Sequence, residues 1–200
     1  MSKDLNPQKA LIFRIVHRDN MRDVWAHGLH CKNGSHGKKY TQIGNPELIA
    51  KRDGRVVPCA PGGTLSDYVP FYFTPYTPML YNIKTGYGGI QKRPVEEIII
   101  LISSLYTLKS QKVPFVFSDR HNLADLNWII WPTLQARDFR KDDLDRFEKY
   151  QAEALIHKHM PLSALTGVVC YNDSARAEMQ VAADAHKVSV KILAQPNWYL

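Results

Sequence analysis

Residues 61–80 read PGGTLSDYVPFYFTPYTPML. The stretch opens on a glycine pair and carries prolines at 70, 75 and 78, with Phe71, Tyr72, Phe73 and Tyr76 among them. DYVPFYF has the aromatic and β-branched content of a strand. Pro70 removes a ladder donor, so the sequence predicts a sheet edge or a bulge there.

The flanking segments supply the rest of a sheet. LIFRIV (11–16) alternates, with Leu11, Phe13 and Ile15 on one face and Ile12, Arg14 and Val16 on the other. An arginine on that face either sits at an open strand end or meets an anion. Further strands are expected over Glu96–Ser103, Val113–Ser118, Ala152–His157, Gly167–Cys170 and Val188–Leu193. Helices are expected after Asp19 or Asn20, stopping at Gly28, over Asn45–Lys51 with Asn45 as cap and Pro46 first, and over Ser174–Ala185. Strands and small helices without regular alternation predict an α+β domain with a mostly antiparallel or mixed sheet, one domain over residues 1–200.

Composition narrows the function. The 200 residues are 44% apolar and 22% charged, which fits a folded domain rather than a disordered one. The formal charge of +7 favours a polyanionic partner such as nucleic acid. No run is long enough to cross a bilayer and MSKDLNPQKA is not a secretory signal, so a cytoplasmic protein is expected. The three cysteines form no CxxC pair, and the eight histidines are scattered along the chain, so no metal is expected. TGYGGI (85–90) lacks the order of a dinucleotide-binding glycine loop, and HExxH and GxSxG are absent.

Two polar residues stand out. Glu153 lies in QAEALIH between Ala152 and Ala154, where a strand carboxylate is costly unless it is used. Arg14 is the matching anomaly on the first strand. Arg52, in KRDGR, reads on its own as part of a solvated charge run.

Several segments in order resemble one family. HRDN followed by GLHC, the run RVVPCAPGGTLSDYVPFYFTPYTPML, PFVFSDRH and QAEALIH together are similar to the DarT-type DNA ADP-ribosyltransferase toxins, over roughly residues 11–160. The resemblance implies the ADP-ribosyltransferase fold, a split mixed sheet with NAD in its cleft. It implies transfer of ADP-ribose from NAD, the substrate and only cofactor, to a base in single-stranded DNA, with no metal. Glu153 takes the place of the catalytic glutamate and Arg52 that of the catalytic arginine. Arg14, Ile15, Val16, Asp23, Leu29, Tyr72, Met79 and His121, together with Arg52, take the places of residues around NAD. The resemblance also implies a toxin with a cognate antitoxin, of which a macrodomain ADP-ribosyl hydrolase is the expected kind, as partner, and no membrane.

The acceptor strand needs aromatic platforms and a basic groove. Tyr76, Trp128, Trp131, Arg137, Arg140 and Lys141 are the residues expected to hold it. The family carries histidine at Arg14, threonine at Val16 and arginine at Tyr76. These departures leave the base open and keep RNA as an alternative acceptor, ahead of an inactive strand-binding module.

Overall fold

The computed structural model describes residues 11–118 and 152–199. LIFRIV forms strand β1 (Leu11–His17), which pairs antiparallel along its whole length with β4 (Ile98–Ser104). The other strands are β2 (Leu29–His30), β3 (Tyr68–Tyr72), β5 (Phe115–Phe117), β6 (Glu153–His157), β7 (His159–Met160), β8 (Gly167–Cys170) and β9 (Lys191–Ala194). One sheet runs β5-β6-β3-β1-β4-β8-β9, while β2 and β7 form a separate antiparallel pair. Among the described strands, only β8 and β9 run parallel. The chain between them crosses back as a helix, as parallel strands require. The expected α+β architecture with a mixed sheet is therefore present.

The helices among the described residues are α1 (Met21–His27), α2 (Pro46–Asp53), α3 (Pro78–Thr85), α4 (Leu105–Ser110) and α5 (Asp173–Ala185). Their ends follow local chemistry. The Asn45 side chain accepts from Leu48 N–H at the start of α2, with Pro46 in the first turn. Thr77 and Asn172 cap α3 and α5 in the same way. Gly28 ends α1 with φ 77°, and a Cβ there would lie 2.6 Å from the Met160 carbonyl oxygen.

Alternation along β1 divides the core. Ile12 and Val16 pack with Val24 and Trp25 of α1 and with Ala175, Met179 and Ala183 of α5. Phe13 and Ile15 pack on the other face with Leu80 and Ile83 of α3 and with Tyr199. Each fully buried isoleucine or leucine contributes about 1.5–3 kcal/mol. The sheet is thus covered on both faces, and its central strands read as continuous apolar runs.

Pro70 does not mark a sheet edge. Strand β3 lies inside the sheet, paired over five residues with β6, Tyr68 opposite His157 through Tyr72 opposite Glu153. On its other side it meets β1 at a single pair, Phe13 with Tyr72. The Pro70 carbonyl accepts from the Arg14 side chain at 2.8 Å, so this residue's backbone faces β1. The N and O of a strand residue face the same neighbour, so the missing donor also falls on that side. The proline is tolerated because the ladder opens here, and the opening splits the sheet.

Asp67 fastens the approach to β3. It accepts from Lys158 Nζ at 2.6 Å, Thr64 N–H at 2.9 Å and Asn33 Nδ2 at 3.1 Å. These bonds, the Lys158 one first, hold its carboxyl well below the usual carboxylate range. A depressed folded pKa adds stability that is fully present above the unfolded value, ~3.9, and is lost as pH falls through the folded one. Asp67→Asn is accordingly expected to flatten the fall in Tm below about pH 4. Thermal melts over an acid series check this; an acid slope equal to the parent's would remove Asp67 from the account.

Candidate active site

Glu153 opens β6 in the interior of the sheet, not at an edge. Its backbone is clamped by Ser118: Ser118 N–H donates to the Glu153 carbonyl at 2.9 Å, and Glu153 N–H donates to Ser118 Oγ at 3.2 Å. Only 12% of its side chain is exposed. Arg52, from the last turn of α2, donates from Nη1 to Glu153 Oε2 at 2.8 Å. The charge-run reading of Arg52 gives way here, because a strand carboxylate this enclosed needs a cation and α2 supplies it. Burial pushes the Arg52 guanidinium down, but Glu153 outweighs it, and the net shift is upward.

Arg14 completes the group. It sits mid-strand rather than at an open end, and its guanidinium enters the split between β1 and β3 to reach the Pro70 carbonyl. Burial pushes its pKa down; the nearby Tyr40, Tyr72 and Glu153 oppose that, and Arg52 adds to it. One carboxylate therefore faces two guanidiniums. Among the described residues, Arg14 Nε and Arg52 Nη2 are buried without a hydrogen-bond partner. Two unpartnered buried cationic N–H groups beside one carboxylate suit an anionic ligand.

Tyr72 stands directly opposite Glu153. Burial, with Glu153 adding to it, drives its hydroxyl well above the ordinary tyrosine range, so it stays protonated. The hydroxyl is directed at Met79 Sδ, 3.6 Å away on the first turn of α3. Tyr40, partly buried near Arg14, is pushed up to about 12, chiefly by burial. Sequence reasoning did not single out Tyr40; its loop, CKNGSHGKKY, gave no signal beyond an aromatic residue in a polar run.

Other expected residues fall in different surroundings. The side chains of Ile15, Val16 and Leu29 are buried in the core, so any contact they make with a ligand comes from backbone. Asp23 lies on α1 and accepts from His36 Nδ1 at 2.8 Å. Tyr76 is partly buried in the turn before α3, its N–H donating to Thr74 Oγ1 at 3.2 Å. His121, Trp128, Trp131, Arg137, Arg140 and Lys141 lie outside the described residues. No described helix is long and apolar enough to cross a membrane.

Residues 13–200 match the family model described as ssDNA thymidine ADP-ribosyltransferase, DarT. The chain belongs to the DarT family. It is 49% identical over 211 aligned positions to a DNA ADP-ribosyl transferase of Escherichia coli O127:H6, covering 99% of this chain and 97% of that one. Its fold is similar to that of Thermus sp. 2.9 DarT in complex with ADP-ribosylated ssDNA, at TM-score 0.90, 29% identity and full coverage of both chains. It also superposes on the same DarT in complex with NAD+, at TM-score 0.81 and 30% identity, over 98% of this chain and all of that one.

Proposed function

We propose that this chain transfers ADP-ribose from NAD to a base of single-stranded DNA with Glu153 and Arg52 as its reacting pair. The observation that carries the assignment is an enclosed carboxylate bonded to Arg52 and acting on the nearby Arg14, each guanidinium with a buried N–H to spare. In the reaction the bond from the ribose to nicotinamide breaks, its electron pair leaves with nicotinamide, and a base nitrogen bonds to the same ribose carbon. The transition state resembles an oxocarbenium ion, as in glycoside cleavage. A carboxylate that accepts from the ribose 2′-hydroxyl grips harder as positive charge grows on the ring.

Arg52 stays a cation throughout. Its ordinary pKa exceeds ~12 and Glu153 raises it further, so it orients the carboxylate and stabilises charge rather than removing a proton. The proton released by the attacking base goes to Glu153, the carboxylate that acts on both guanidiniums. Arg14 Nε and Arg52 Nη2 face the phosphates of NAD, whose donors must be side chains because the chain has no glycine-rich phosphate loop. Arg14→Ala is expected to lower kcat/KM for NAD about 10–100-fold, mostly through KM, with Arg14→Lys recovering part of it. Steady-state kinetics in NAD check this; an unchanged KM would remove Arg14 from the site.

The acceptor is read by incubating the protein with labelled NAD and matched single-stranded DNA and RNA oligonucleotides, then locating the modified base by mass spectrometry. Label on DNA is the expected result, and label confined to RNA would overturn the reading. This chain departs from the family at Arg14, Val16 and Tyr76, so the modified base is the quantity to read. The product is a glycosidic bond. An ADP-ribosyl hydrolase is therefore the partner chemistry that reverses a toxin of this kind, which fits the expected macrodomain antitoxin.

A further inference from the structure

Four histidines scattered in sequence meet in space. Asp23 and His27 lie four residues apart on α1 and so share a face. The polar loop after β2 then turns back on itself. Gly37 packs so closely on the Cys31 carbonyl that a Cβ would come within 1.9 Å of its oxygen, which lets the turn lay His36 against α1. The His36 ring stacks on His27 with centroids 4.2 Å apart and tilts against His30 at 4.7 Å. His30 stacks in turn on His159 at 4.4 Å.

These rings have two separate duties. His30 Nε2 and His159 Nε2 lie 3.2 and 2.8 Å from the His27 carbonyl. A carbonyl only accepts, so both nitrogens donate, and together they cap the end of α1. His27 and His36 instead aim Nδ1 at one oxygen, Asp23 Oδ1, at 3.4 and 2.8 Å. Asp23 Oδ2 is buried beside the Tyr40 hydroxyl, which also lies 3.4 Å from the Gly28 carbonyl. One ligand atom from each of Asp23, His27 and His36 falls within 4.8 Å of the others.

We infer that Asp23, His27 and His36 form a binding site for a divalent transition cation of the Zn2+ class. Bonds of about 2.0–2.2 Å to a tetrahedral ion would set ligand atoms ~3.4 Å apart, a closure that two side chains at the end of a helix and in a loop can make. Two imidazoles and a carboxylate favour Zn2+, Ni2+ or Co2+ over the oxygen-seeking Mg2+ and Ca2+. Three protein ligands leave a fourth position for water. Oδ2 gives the carboxylate a second oxygen, and His30 and His159 hold the backbone of His27 in place as supporting contacts. Asp23 is also one of the residues that the family resemblance sets around NAD, so an ion held here would neighbour the NAD cleft, although no step of the transfer passes through it.

The test is calorimetric titration of the chelator-treated full chain with Zn2+ alone. We expect one ion per chain, weakened about 100-fold or more by His27→Gln or by His36→Gln. His27 is exposed at the end of α1, so its substitution leaves the fold in place, and circular dichroism verifies this for both variants. Co2+ in place of Zn2+ should add visible bands that both substitutions abolish. No saturable binding at one equivalent, or binding equal to the parent in both variants, would overturn the site.

Discussion

Replacing Glu153 with alanine is expected to lower ADP-ribose transfer about a thousand-fold or more, an effect on the order of 4 kcal/mol in the transition state. The carboxylate acts where charge develops, so the loss should appear in kcat rather than in KM for NAD. Glu153→Gln sharpens the expectation. It keeps an oxygen for Arg52 and the shape of the side chain but removes the negative charge. Nearly equal losses in the two variants mean that the charge is what the reaction uses. Single-turnover assays with labelled NAD measure this, and a Glu153→Gln protein within tenfold of the parent would sink the assignment. Arg52 is 30% exposed, so water can reach the cation that either change strands, and the fold should survive.

Arg52→Ala is the second large effect, expected at about a hundred-fold or more in kcat/KM. Arg52→Lys should recover little, because one ammonium cannot hold Glu153 and also present a second fixed N–H to a phosphate. The informative experiment is the double variant. Two residues that act as a unit lose no more together than the worse single change, whereas independent residues multiply their losses. Additive losses in Arg52→Ala with Glu153→Ala would show that the 2.8 Å contact is not how the arginine works.

Much of this was legible in the chain. A glutamate between Ala152 and Ala154 contradicts the apolar pattern of its strand, and the structure resolves the contradiction with a cation. Arg14 was visible for the same reason. Arg52 was not, since KRDGR looks like any exposed charge run, and its partner lies 101 residues away. Pro70 misled, because a missing donor says that a ladder stops on one side of a strand and not that the strand has no neighbour there. Helix α3 was hidden inside the proline-rich run, although the Thr77 cap and Pro78 are a start signal when read as a pair. The histidine cluster could not be seen at all. His27 and His159 are joined only by the pairing of β2 with β7 and by contacts that no local pattern records.

The 101-residue separation of Arg52 from Glu153 also bears on the life of the chain before it is whole. Strand β6 is one of the later elements to leave a ribosome, and β3 has no long partner until it arrives. Pairing of this range is slow, because the loop must close before any contact rewards it. A nascent, nicked or shortened chain thus holds the arginine without the glutamate. On the roles proposed for Arg52 and Glu153, transfer begins only once synthesis of the sheet is complete, which leaves an interval for a partner to be at hand.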